Sequence, residues 1–233
     1  MKRVSWTGML PKVRAALQVL FDRSKANCLR TKKWLRLLEL LIIYLAIPLL
    51  FYLKYIPIHK LATLFLVFGY CLAILLINRN FKWSSFSLIG FKGWLGLLLR
   101  ISIATVIILA LTYFIIPNYL FVLPYTKPMY WLAIFFLYPI WSVIPQELIY
   151  RSFFFERYKV LFGNEKVMAV ISAALFAFLH IVFHNWVAVL GSFVIGLIWS
   201  FAYIRHRSLL AVTVEHSIVG IILFTVGLGV FFS

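Results

Sequence analysis

The chain has 233 residues, 64% of them hydrophobic and only 12% charged. Soluble domains run at about 45–50% apolar and about 25% charged, so a cytosolic enzyme, a disordered chain and a disulfide scaffold are excluded in favour of a polytopic membrane protein. The net charge of +17 arises from 23 Lys and Arg against 6 acidic residues, and most of these cations flank apolar runs, which points to anionic lipid headgroups and away from nucleic acid.

Residues 1–36 form a basic arm carrying ten Lys or Arg. No long apolar run begins before about Leu37, so no cleavable signal peptide is expected. Met9–Phe21 fits an amphipathic helix lying on the membrane, with Leu10, Val13, Leu17 and Leu20 toward lipid; a disordered arm is the alternative reading. Cys28 and Cys71 suggest neither a disulfide frame nor a Cys-based metal site.

The remainder, 37–233, reads as an all-α transmembrane bundle. Seven apolar stretches approach the ~20 residues that cross a bilayer: about 37–53, 61–78, 94–116, 129–145, 167–184, 187–204 and 209–232. Between the fourth and fifth, 146–166 reads as helical but as neither a loop nor an ordinary span. Pro48, Pro139 and Pro145 are expected to kink or end their helices. No internal repeat is visible, which disfavours a solute carrier built from duplicated halves. With the arm inside, the inner segments hold nineteen positive charges and the outer loops three, Lys54, Lys60 and Lys127, while Arg100 falls within a span. That bias predicts a cytoplasmic N-terminus and an outside C-terminus.

Ionisable groups inside spans are costly and mark function. Glu147 and Glu215 are the two acids embedded in strongly apolar sequence, and His180, His184 and His216 are the histidines within spans. Glu147 and Arg151 are four apart and share a helical face; a purely structural ion pair would have the same spacing. His180 and His184, one turn apart, would present both imidazoles on one face, suiting a metal or a held water, while a lone buried His more often satisfies a hydrogen bond. His216 follows the Arg205–Arg207 pair by enough residues to lie roughly 12 Å from the inner surface at 1.5 Å per residue, deeper than headgroups and consistent with either a site or interhelical glue. Counted this way His216 is shallower than His180, so their convergence requires tilt or a kinked fourth segment, for which Pro145 is the candidate.

Three segments in this order resemble the CPBP intramembrane protease family of CAAX proteases and bacteriocin-processing enzymes. They are Gln146-Glu147-Leu148-Ile149-Tyr150-Arg151, Phe176-Ala177-Phe178-Leu179-His180 and His216-Ser217-Ile218-Val219-Gly220. They match Glu-Glu-x-x-x-Arg, Phe-x-x-x-His and His-x-x-x-Asn/Asp. Phe153-Phe154-Phe155 and Gly196 also fit, and the resemblance covers about 125–233. It implies an intramembrane peptidase that cleaves a peptide or protein substrate near the inner face of a bacterial plasma membrane. Catalysis would fall to Glu147, His180 and His216, supported by Gln146, Arg151, His184 and Gly220. The mechanism it implies has two versions: a divalent metal such as zinc held by His180, His184 and His216, or water activated by Glu and His alone. Two departures stand out. Gln146 replaces the first motif Glu and cannot serve as a base, and Gly220 replaces a polar residue. A non-catalytic relative that binds a peptide or protein partner is therefore the alternative function.

Overall fold

The computed structural model describes residues 32–78, 81 and 88–232. The sequence reading of Met9–Phe21, and most of the basic arm, lies outside the described residues. Met1–Leu41 and Ile42–Ser233 are separate compact units. The described residues are helical, with no strand among them.

Among the described residues, seven helices are long and apolar enough to cross a membrane. They are α1 (Lys32–Tyr52), α2 (Lys60–Ile77), α3 (Phe91–Ile115), α4 (Pro128–Arg157), α5 (Glu165–Phe183), α6 (Trp186–His206) and α7 (Leu209–Val226). Their outer faces stay apolar and exposed, as at Leu66, Ile77, Phe91 and Phe114, which suits a lipid solvent and no other. The buried positions gather on α4–α7, so the core of Ile42–Ser233 lies in its second half.

The connections are short and chemically specified. Asn164, Asn185 and Ser208 each turn a side-chain oxygen onto the first backbone N–H groups of α5, α6 and α7. Immediately before two of these caps, His184 and Arg207 take left-handed conformations that end α5 and α6. The result is a tight run of three antiparallel helices. Small residues let α5 and α6 approach closely: Ala169, Ser172, Ala173, Ala188 and Ser192 are all buried. A Cβ on Gly196 of α6 would meet the Phe176 ring at 3.0 Å.

Helix α4 corrects the sequence-based boundary. The stretch from 146 to 157 is the last two-fifths of one 30-residue helix, Pro128–Arg157, and not a separate segment. Two widened π-helical turns, Pro139–Val143 and Leu148–Phe153, interrupt it. Pro139 and Pro145 each lack the N–H that a regular turn would use, and each wide turn re-aims the side chains that follow it. Carbonyls of the second wide turn are satisfied by side chains from neighbouring helices: Tyr44 Oη donates to Ile149 C=O at 2.7 Å and Ser172 Oγ to Tyr150 C=O at 2.7 Å. The aromatic run after Arg151 is core, with Phe153, Phe154 and Phe155 buried and Tyr44 edge-on to Tyr150 and Phe154.

Candidate active site

Glu147 sits between the two wide turns of α4 and is fully buried. Its Oε1 is 2.8 Å from Nδ1 of His216 on α7. Its Oε2 is 3.4 Å from Nε of Arg151, as the i,i+4 spacing predicted. That second contact is an ion pair without hydrogen-bond geometry, since Glu147 Oε2 and Arg151 Nε find no hydrogen-bond partner among the described residues. Arg151 is itself fully buried. It donates to Ser172 Oγ at 2.9 Å and to the backbone carbonyls of Tyr150 and Gly196, both at 3.3 Å, and lies over the Phe176 ring. One guanidinium thus ties α4, α5 and α6 together behind the carboxylate.

A carboxylate can only accept, so His216 Nδ1 carries the hydrogen in its bond to Glu147 and Nε2 keeps a lone pair. Nε2 lies 3.1 Å from Tyr138 Oη. Trp199 of α6 stacks on the imidazole, ring centroids 4.2 Å apart and planes 26° apart. Carboxylate, phenol and indole therefore fix this ring on three sides.

His180 closes α5, and its Nδ1 lies 2.7 Å from the Phe176 carbonyl. By the same reasoning Nδ1 donates and Nε2 is left with its lone pair. Phe176 stands between the two histidines, 4.8 Å from the His180 ring and 5.8 Å from His216. His180 and His216 both line a cavity of about 1020 Å³, together with Tyr138, Gln146, Trp199 and Gly220. The rest of its wall is mostly Leu, Ile, Val and Phe. Glu147 is not on that wall. The member of the acidic pair position that does face the cavity is Gln146, whose Nε2 donates to Ser142 Oγ at 2.8 Å while Oε1 has no partner among the described residues.

His184 departs from its expected place. The helix tightens at His180 and ends at His184, so the two imidazoles do not share a helical face. His184 is exposed and stacks on Tyr52, ring centroids 4.6 Å apart. Among the described residues, no three His, Cys, Asp or Glu side chains are placed to hold a metal ion. His216 gives Nδ1 to Glu147, and His184 is turned away onto Tyr52. A zinc held by His180, His184 and His216 does not fit this donor arrangement.

Sequence reasoning missed three features. Tyr138 and Trp199 are aromatics in a chain that is 18% aromatic, and nothing in their spacing sets them apart. Arg100 and Glu215 were each conspicuous in a span, yet their pairing was not foreseen. They form a bidentate bridge from α3 to α7, Nε to Oε1 at 2.8 Å and Nη2 to Oε2 at 2.6 Å.

No curated protein and no solved structure gives a significant match to this chain. The family model of the Rce1-like type II CAAX prenyl endopeptidases matches residues 127–222, from the start of α4 to just past the third motif. That range contains every group around Glu147 and His216 described above. Over residues 127–222 the chain is therefore similar to the Rce1-like type II CAAX prenyl endopeptidases.

Proposed function

We propose that the protein is an intramembrane peptidase that hydrolyses a peptide bond with water activated by the Glu147–His216 pair. One observation carries the reading: Glu147 holds His216 Nδ1 at 2.8 Å while His216 itself lies on the wall of a large apolar cavity. A buried carboxylate behind an imidazole fixes its tautomer and compensates the positive charge it gains on taking a proton. The base that meets the water is then His216 Nε2, with Glu147 acting through it. Trp199, stacked on the ring, offers a π-face to the same positive charge. His180 Nε2, on the same cavity wall, orients the water or the carbonyl. Gln146 contributes an amide that can hydrogen-bond a peptide backbone but accepts no proton.

The charge bias supports an orientation with α4's Arg157 end and the start of α7 inward, and with it cleavage near the inner face of a bacterial-type plasma membrane. The basic arm would rest on anionic headgroups. Peptide or protein is the substrate class. The test is cleavage of quenched-fluorescent peptides by the full chain in detergent. Turnover by the parent, lost in Glu147→Gln and in His216→Ala with melting unchanged, supports the reading. Equal turnover in parent and Glu147→Gln overturns it.

A second reading has its own observation, the amide of Gln146 on the cavity wall where the family motif has a carboxylate. A non-catalytic protein that binds a peptide would retain its affinity for that peptide in Glu147→Gln, and the parent would release no fragments.

A further inference from the structure

Gly220 leaves a gap on α7, and the structure shows what fills it. A Cβ at position 220 would lie 2.5 Å from both Cε1 and Oη of Tyr138 and 2.7 Å from Cζ, nearer than side-chain carbons approach one another. The Tyr138 ring is thus seated where any other residue would have its side chain. Phe224, one turn further along α7, packs edge-on against the same ring with centroids 5.5 Å apart. So held, Tyr138 Oη reaches His216 Nε2 at 3.1 Å and lines the cavity. It is a phenol from α4 placed at the nitrogen on which the reaction would turn.

We propose that Tyr138 is a catalytic residue, the hydrogen-bond donor to the carbonyl oxygen of the scissile peptide, and that Gly220 exists to admit it. This rests on the peptidase reading above. At rest the phenol O–H donates to His216 Nε2, because Nδ1–H is already given to Glu147. When a water takes over as donor to Nε2, the phenol hydrogen rotates to the substrate carbonyl. The water oxygen bonds to the carbonyl carbon as its proton passes to Nε2. The carbonyl π pair becomes the oxyanion, which Tyr138 stabilises by its hydrogen bond. On collapse the C–N bond breaks, and the imidazolium proton leaves on the amine. One water is consumed, and the phenol keeps its hydrogen throughout. A single preorganised donor of this kind is worth about 10²–10³ in kcat.

The test uses the full chain in detergent with a quenched-fluorescent peptide library, and with a phosphonate analogue of the best-cleaved peptide as a mimic of the tetrahedral anion. Tyr138→Phe keeps the ring in the gap and removes only the hydroxyl. Expected is a kcat lower by about 10²–10³-fold, an unchanged KM and a parallel loss of phosphonate affinity. Gly220→Ala, which displaces the ring, should cause a comparable loss. Gly220→Asn combined with Tyr138→Ala, which puts a polar side chain into the vacated gap, should recover activity relative to Tyr138→Ala alone. That rescue decides the matter if Tyr138→Phe fails to fold. Parent kcat and phosphonate affinity in Tyr138→Phe would overturn the role of Tyr138 while leaving the peptidase intact, provided Glu147→Gln is still inactive. No cleavage of any library member by the parent would overturn the peptidase reading, and this proposal with it.

Discussion

Glu147 spends one oxygen on His216 and the other on Arg151, and this predicts how it fails. Glu147→Gln is nearly isosteric, but its amide can meet Nδ1 with either a donor or an acceptor, so the tautomer of His216 is no longer fixed. A carboxylate removed from a comparable position behind an imidazole costs about 10⁴ in kcat, and a loss of that order in peptide turnover is expected here. On the proposed mechanism the pair works as one unit, so Glu147→Gln/His216→Ala should be no slower than His216→Ala alone; additive losses would show two independent roles. Arg151 carries a different penalty. Arg151→Ala would strand a fully buried carboxylate at a cost of about 3–5 kcal/mol. Arg151→Lys should recover little, since one ammonium cannot reach Ser172 Oγ, the Gly196 carbonyl and Glu147 together. Melting in detergent checks both, and an Arg151→Ala protein as stable as the parent would refute the buried-pair account. The Glu147–Arg151 spacing was legible because it is local to one helix. Tyr138 and Trp199 were not, because their roles depend on where α4 and α6 pass α7.

Helix α4 shows the same limit at the level of elements. Its prolines announced an irregularity, but a wide turn and a simple kink share that signature, and only the packed structure shows π turns on both sides of Glu147. The end of α5 was misread for a related reason. Spacing alone carried His180 and His184 onto one helical face, whereas Asn185, capping α6 through Ala188 N–H, requires the chain to turn at His184. The Arg100–Glu215 bridge joins α3 to α7 and gives a directional prediction. Glu215 is 1% exposed and Arg100 is 28% exposed, so the two partners lose unequally when separated. Arg100→Gln leaves a carboxylate with no water to turn to. Glu215→Gln leaves a guanidinium on the cavity wall that can still be solvated. Arg100→Gln should therefore lower the melting temperature more than Glu215→Gln. The reverse order would mean that the bridge is held by something other than burial of the acid.

For the whole molecule, the seven apolar helices among the described residues and a nineteen-to-three bias of cations between the segments on the arm's side and those opposite predict that an N-terminal tag is reachable only from the cytoplasm and a C-terminal tag only from outside. A C-terminal tag labelled only from the cytoplasmic side would require an even number of crossings and break this topology. The sequence alone determined the helical class, the number of apolar spans and the approximate limits of all but the fourth, because transfer of a helix into lipid depends on its own composition and length. It also determined which acids and histidines were out of place, since a charge in an apolar run is anomalous wherever the run packs. The tertiary structure decided which of those groups meet. Glu147 and His216 come from helices separated by two others in sequence, and their contact depends on the wide turns of α4, the close approach of α5 and α6 at Gly196, and the room left by Gly220. These are properties of packed surfaces, and no local pattern of residues encodes them.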